Sequence, residues 1–200
     1  MTPPVIVCVA TKSEAKRLYD LTSGGELEIR VTGVGPVAAA YSLTRRLAEA
    51  AHPPAVICCG VGGAYPGSGL EIGDVVCAST ETFGDLGVET ADGFLTMEDI
   101  GFGAPPGWLD LSLRPVRRAV PFVTCATCTG TDKRAREIEA RTSGAVESME
   151  GAAIVDVARR FGVDVGEIRG ISNVVGDRDR ASWKLDEAAD AAQKALCVWL

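Results

Sequence analysis

The side chains of this sequence best suited to chemistry are two glutamates and an asparagine. Glu14 closes Thr11-Lys-Ser-Glu14, Glu150 lies in Val146-Glu-Ser-Met-Glu-Gly-Ala-Ala153, and Asn173 ends Arg169-Gly-Ile-Ser-Asn173. A single histidine, His52, sits in Ala-Ala-His-Pro-Pro, which looks like a connector between a helical pattern and a strand. Histidine-activated serine or cysteine nucleophiles, and histidine-rich metal centres, would all have to run through that one residue and are disfavoured. Acid and base work must then fall to carboxylates, amides or lysines. Each candidate also has a purely structural account. Thr11 to Glu14 reads as a capping box whose glutamate bonds back to the Thr11 amide. Glu150 opens a helix, where a carboxylate is stabilised by ~0.3 to 1 kcal/mol without catalytic duty. Asn173 can shape the turn toward Gly176, and Arg178, Arg180 and Lys184 can form a solvated rim.

Composition narrows the setting. Two hundred residues with 46% hydrophobic content and a net charge of -7 suit one globular domain spanning 1–200. A sequence pI near 4.8 with scattered basic residues leaves no electrostatic footprint for nucleic acid or an anionic membrane. No apolar run reaches bilayer-spanning length, and Met1 to Lys12 lacks the positive start of a signal peptide, so a cytoplasmic protein acting on a small molecule is expected. The seven cysteines fall mostly in apolar stretches and read as reduced core thiols. Cys125-Ala-Thr-Cys128 has no second pair to complete a metal site, and neither metal nor cofactor is expected. The terminal Cys197-Val-Trp-Leu200 has the form of a prenylation box but continues an amphipathic helix without a polybasic segment before it.

These residues need elements to position them. Strands are expected at Val5 to Ala10, Leu27 to Thr32, Ala55 to Cys59, Gly73 to Ala78, Val120 to Cys128, Ala145 to Ser148 and Val165 to Ser172. Helices are expected from Ser13 to Leu21, Pro36 to Ala51, about Asp132 to Arg141, from Glu150 through Phe161, and from near Ser182 onward. Residues 81–112 read as a loop-rich insertion, and Gly60 to Gly69 as a glycine-rich loop. Strands alternating with helices imply an α/β three-layer sandwich with a central, mostly parallel mixed sheet. Ligands of such folds bind beyond the carboxyl ends of the strands. Loops at 11–13, 33–36, 60–69, 127–132, 147–150 and 173–182 would converge there.

Gly33-Val-Gly-Pro-Val-Ala38 fits a dinucleotide fingerprint, but the place of the ribose-binding acid is Cys58-Cys59-Gly60, and no Walker lysine follows Gly60 to Gly69. The joint arrangement of Glu14, the 60–69 glycines, Val146 to Ala153 and Arg169 to Asn173 instead resembles the nucleoside phosphorylase and nucleosidase superfamily over nearly the whole chain. The 23-residue step from Glu150 to Asn173 matches its nucleosidases. Within it, Glu-Ser-Met-Glu-Gly-Ala-Ala and Arg-Gly-Ile-Ser-Asn-x-Val-Gly-x-Arg-Asp-x-x-x-Trp183 look most like the futalosine hydrolases of menaquinone biosynthesis, which release hypoxanthine from futalosine. The resemblance implies Glu14 as general base on water, Glu150 on the ribose 2'-hydroxyl and Met149 against the sugar. It implies Gly62 and Gly63 approaching the base, with Thr127 and Cys128 on its other side. Asn173 stands where adenine-releasing nucleosidases carry aspartate. An amide can both donate and accept, which suits a 6-oxopurine. A carboxylate tail on the substrate would be met by Arg178 or Arg180. Three alternatives remain open: a 6-oxopurine nucleoside phosphorylase, an adenine-releasing nucleosidase, and a non-catalytic purine-nucleoside binding protein. A homodimer or higher homo-oligomer is implied by the resemblance, with 81–112 and its Phe83, Phe94, Met97, Ile100, Phe102 and Trp108 as the candidate interface.

Overall fold

The computed structural model describes residues 5–19, 27–102 and 109–200. Its strands are β1 (Val5–Val9), β2 (Leu27–Val31), β3 (Ala55–Ala64), β4 (Val75–Phe83), β5 (Gly87–Thr90), β6 (Gly93–Thr96), β7 (Leu109–Asp110), β8 (Ala119–Thr124), β9 (Val146–Ser148) and β10 (Val165–Val174). Its helices are α1 (Pro36–Ala48), α2 (Asp132–Thr142), α3 (Gly151–Arg160) and α4 (Leu185–Trp199). One mixed sheet runs β10-β4-β8-β9-β3-β1-β2, with β7 on β4. β10 also pairs with β3, so β3, β10, β4, β8 and β9 close into a ring. The β1–β2, β1–β3, β3–β10, β4–β8 and β8–β9 pairs are parallel, whereas β10–β4, β3–β9 and β4–β7 are antiparallel.

β1 shows why its sequence is apolar throughout. Ile6 and Cys8 pack toward α1 and α3 with Leu43, Leu47 and Ile154, while Val7 and Val9 pack toward α4 with Leu18, Ala192 and Leu196. A strand covered on both sides loses the usual alternation. Within α1, Ala39, Leu43 and Leu47 are the buried positions, and truncating a buried leucine to alanine in such a core costs about 2 to 5 kcal/mol.

Several elements depart from the sequence expectation. Ser13 to Leu21 is not an α-helix within the described residues: Ser13–Ala15 forms a single 3-10 turn, Ala15 and Leu18 are buried, and positions 20 and 21 lie outside the described residues. The glycines of 60–64 continue β3 instead of looping away. β10 carries on through Asn173 to Val174, and α4 starts at Leu185 after a short turn at Arg180–Ser182. Inside 81–112, β4 persists to Phe83, β5 and β6 form a hairpin, and β7 returns to β4. Phe83 packs against the core and the Phe94 ring lies 3.9 Å beneath the Arg141 guanidinium. Phe102 is exposed, and Trp108 lies outside the described residues.

Candidate active site

The carboxyl ends of β1, β3 and β10 and the start of α3 open on a cavity of about 570 Å³. Glu14 enters it from the turn after β1 and is 8% exposed. Its Oε2 accepts the Thr11 amide at 3.0 Å and the Thr11 hydroxyl at 2.9 Å, while Oε1 accepts the Val61 amide at 3.2 Å. The capping bond and the reach toward β3 thus coexist. Gly60 makes room for this: a Cβ there would stand 2.5 Å from Glu14 Oε1 and 2.7 Å from Arg169 Nη1. A central strand carries glycines here because neighbouring side chains occupy the space a side chain would need.

Arg169 is the residue whose importance the sequence reading missed. Its side chain is 2% exposed and pairs with Glu167 Oε1 at 2.7 Å through Nε. Nη1 donates to the Val61 carbonyl at 3.2 Å, and Nη2 meets Cys58 Sγ at 3.2 Å and Glu150 Oε2 at 3.7 Å. Burial disfavours its charge, yet Cys58, Glu167, Glu150 and Glu14 outweigh that and hold the guanidinium well above its ordinary value. An arginine two residues after a glutamate inside the expected strand Val165 to Ser172 was the available signal.

Glu150 joins two helices. It is the residue before α3, and its Oε1 accepts the Gly35 amide at 3.0 Å, at the residue before α1. Gly35 has φ +91°, the left-handed region that glycine occupies without strain, which turns that N–H toward Glu150. A carboxyl group at the start of α3 therefore meets the N-terminus of α1. Burial raises the Glu150 carboxyl above the usual range, opposed by Arg169 and the Gly35 N–H. Met149 lines the cavity beside it.

The far end of the cavity is built around Asn173. A register shift between Ile171 and Asn173 turns this residue beside Gly63, where a Cβ would stand 3.1 Å from Asn173 Nδ2 and 2.7 Å from Val175 Cγ2. Asn173 Nδ2 donates to the Val174 carbonyl at 3.0 Å, and Oδ1 accepts the Ser172 hydroxyl at 2.8 Å. One amide hydrogen and one lone pair remain for a ligand. Glu147, also on the wall, accepts the Tyr65 hydroxyl at 2.7 Å and both the Thr129 amide and hydroxyl, at 2.8 and 2.6 Å. Cys128 lines this end too, and burial followed by Glu147 raises its thiol against the lowering effect of Arg178. The Arg178 guanidinium lies 4.9 Å over the Trp183 ring.

Glu14, Gly62, Gly63, Cys128, Met149, Glu150, Asn173 and Arg178 thus share one cavity, as the sequence suggested. Thr127 does not. Its amide donates to Asp85 Oδ2 at 3.1 Å, and it faces a second cavity of about 720 Å³ between the β5–β6 hairpin and α2. β8 ends at Thr124, four residues before its expected end, and the chain bends so that Thr129 takes the place foreseen for Thr127.

Residues 10–198 match the family model of the phosphorylase superfamily. The chain is 40% identical over 190 residues to a futalosine hydrolase of Streptomyces coelicolor, covering 90% of this chain and 80% of the relative. It is 38% identical over 183 residues to a futalosine hydrolase of Acidothermus cellulolyticus, covering 86% and 74%. Its fold superposes with a TM-score of 0.83 on a methylthioadenosine/adenosylhomocysteine nucleosidase from Colwellia psychrerythraea in complex with adenine, at 19% identity and covering 100% of this chain and 95% of the other. A cavity that gathers Glu14, Glu150 and Asn173, in a chain this similar along most of its length, leads to one assignment: the protein belongs to the phosphorylase superfamily and, within it, to the futalosine hydrolase family.

Proposed function

We propose that the protein hydrolyses the N-ribosidic bond of futalosine, releasing hypoxanthine and dehypoxanthine futalosine, as a step of menaquinone biosynthesis. The observation that carries this reading is the Glu14 carboxyl group, fixed from three sides and opening on the cavity that also holds Glu150 and Asn173. Departure of the purine leaves an oxocarbenium-like ribosyl cation, and water must add to it. Glu14 takes the proton of that water. Glu150 holds the 2'-hydroxyl and, with Glu14, presents negative charge to the cation, the kind of stabilisation that is often the largest catalytic contribution. Met149 packs against the sugar.

At the other end, Asn173 donates and accepts at the edge of a 6-oxopurine with its remaining hydrogen and lone pair. Gly62 and Gly63 let the base approach the main chain, and Cys128 and Thr129 face it from across the cavity. Arg178, seated on Trp183 beside Cys128, lies on the base side, so Arg180 is the cation we assign to the carboxylate tail. Hydrolysis is favoured over phosphorolysis because Glu14, at the place of the nucleophile, would repel an incoming phosphate.

The same reading takes α1 and α3 on one side of the sheet and α4 on the other as a three-layer sandwich, acting in the cytoplasm as a homodimer or higher homo-oligomer. Exposed Val37 and Tyr41, one turn apart on α1 near cavity-lining Val34, and exposed Phe102 support an interface between copies. The test is incubation with futalosine, inosine and methylthioadenosine, with and without phosphate, following free base by chromatography. Hypoxanthine from futalosine without phosphate, lost in Glu14→Gln, is the expected result. Phosphate dependence, adenine release, or intact nucleoside would each point to one of the rival activities.

A further inference from the structure

Two buried acids, Glu81 and Glu167, stand outside the mechanism above and have no exposed surface. Glu81 comes from β4 and Glu167 from β10, and both aim at the first residue of α3. A Cβ on Gly151 would collide with Glu81 Oε1 and with both oxygens of Glu167, so the two carboxyl groups converge on one point. Glu167 Oε1 is held by Arg169 Nε at 2.7 Å, but Glu167 Oε2 has no hydrogen-bond partner among the described residues. Thr124 from β8 faces Glu81, its hydroxyl 3.2 and 3.1 Å from the two oxygens. The Thr124 hydroxyl oxygen in turn accepts the Ala152 amide of α3 at 2.8 Å and lies 3.4 Å from Ser148 Oγ of β9. Among the described residues the cation facing the pair is Arg169, which Glu150, Glu14 and Cys58 also share.

Two ionised carboxylates in this space would repel each other and leave one oxygen without a donor. We propose that Glu81 is a neutral carboxylic acid donating its proton to Glu167 Oε2, and that this hydrogen bond makes the pair a positioning device for Arg169. Glu167 is then held rigid from both ends, with Oε1 on Arg169 Nε. The other edge of the guanidinium is left to bond Val61 and to stand between Glu150 and Glu14. Desolvation and the facing Glu167 push the Glu81 carboxyl well above the usual range, against the opposing pull of Arg169 and Thr124. The proposal concerns the frame behind the site and does not depend on which nucleoside is cleaved.

Infrared difference spectroscopy of the full chain against Glu81→Gln tests it without substrate. The carbonyl stretch of a protonated carboxylic acid, sensitive to deuteration, is expected in the wild type at pH 7 and absent from Glu81→Gln. An amide N–H can replace the acid proton toward Glu167, so Glu81→Gln should retain activity within about threefold, whereas Glu81→Leu should lower kcat by about tenfold or more through a displaced Arg169. If Glu81→Leu does not fold, the infrared band and the Gln rescue still decide. No protonated-acid band at pH 7, or a Glu81→Gln enzyme more than tenfold impaired, would overturn the proposal. An enzyme inactive on futalosine that still shows the band would refute only the substrate assignment.

Discussion

Gly60→Ala is the sharpest perturbation of the proposed water-activating centre, because it adds one methyl group and changes no charge. That methyl would stand 2.5 Å from Glu14 Oε1 and 2.7 Å from Arg169 Nη1, whereas ordinary contacts begin at 3.4 Å. Relief requires the carboxylate to move by about 0.9 Å and the guanidinium by about 0.7 Å. Neither has slack, since Glu14 is bonded to Thr11 and Val61 and Arg169 to Glu167 and Val61. A displacement near 1 Å of a positioned group costs on the order of 100-fold in rate, about 2.7 kcal/mol of barrier. Initial rates of hypoxanthine release should therefore show kcat down by about 100-fold, with KM changed by less than about threefold, since the base end is untouched. Gly63→Ala, which crowds Asn173 and Val175 instead, should raise KM more than it lowers kcat. A Gly60→Ala protein with native circular dichroism and near-wild-type kcat would refute the idea that the Glu14–Arg169 geometry limits the reaction.

Asn173→Asp removes a donor from the base end, and should lower kcat/KM for futalosine by about 10- to 100-fold while raising adenine release from methylthioadenosine, both read by chromatography. Glu81 gives a pH signature of defined sign: its folded-state value lies above the unfolded one, so the unfolded chain releases its proton near 4.5 while the folded chain retains it. Wild type should thus lose stability relative to Glu81→Gln as pH rises above 4.5, by about tenfold in the folding equilibrium per unit until the folded-state value is passed. Equilibrium denaturation at several pH values checks this, and parallel curves would contradict it. Of the seven cysteines, Cys128 is exposed and lines the cavity while five are buried, so a maleimide should label Cys128 first and hypoxanthine should slow that labelling. Mass spectrometry of digested protein would locate the adduct.

The alternation of strands and helices was legible because burial on both sides leaves apolar runs such as Val5 to Val9 and Ala55 to Cys59. Glu14, Glu150 and Asn173 were legible as motifs, and the structure brings them to one cavity. Gly60 to Ala64 misled because glycines ordinarily mark turns, and only the crowding by Glu14, Arg169, Val146 and Val175 explains them inside a strand. The periodicity of 13–21 was read as an α-helix, yet Ala15 and Leu18 reach the core from short turns equally well. Thr127 falls on another cavity because a strand's end depends on its partners, and β8 stops pairing at Thr124. Arg169, Glu167 and Glu81 were invisible as a group, since three charges on two strands acquire meaning only when the ring of strands closes.

The turn that carries Glu14 is fastened to the last helix. The Arg17 amide donates to Gln193 Oε1 at 2.7 Å, the Arg17 side chain bonds Asp190, and Ala15 and Leu18 share a core with Ala192 and Leu196. During synthesis Glu14 therefore emerges well before the helix that anchors its turn. A ribosome-bound chain that has completed β1 to β10 holds Glu14, Glu150, Arg169 and Asn173, but the turn of the proposed general base gains this anchor only when residues 185–199 leave the exit tunnel and dock. Activity should consequently appear only once α4 has left the tunnel and docked on that turn.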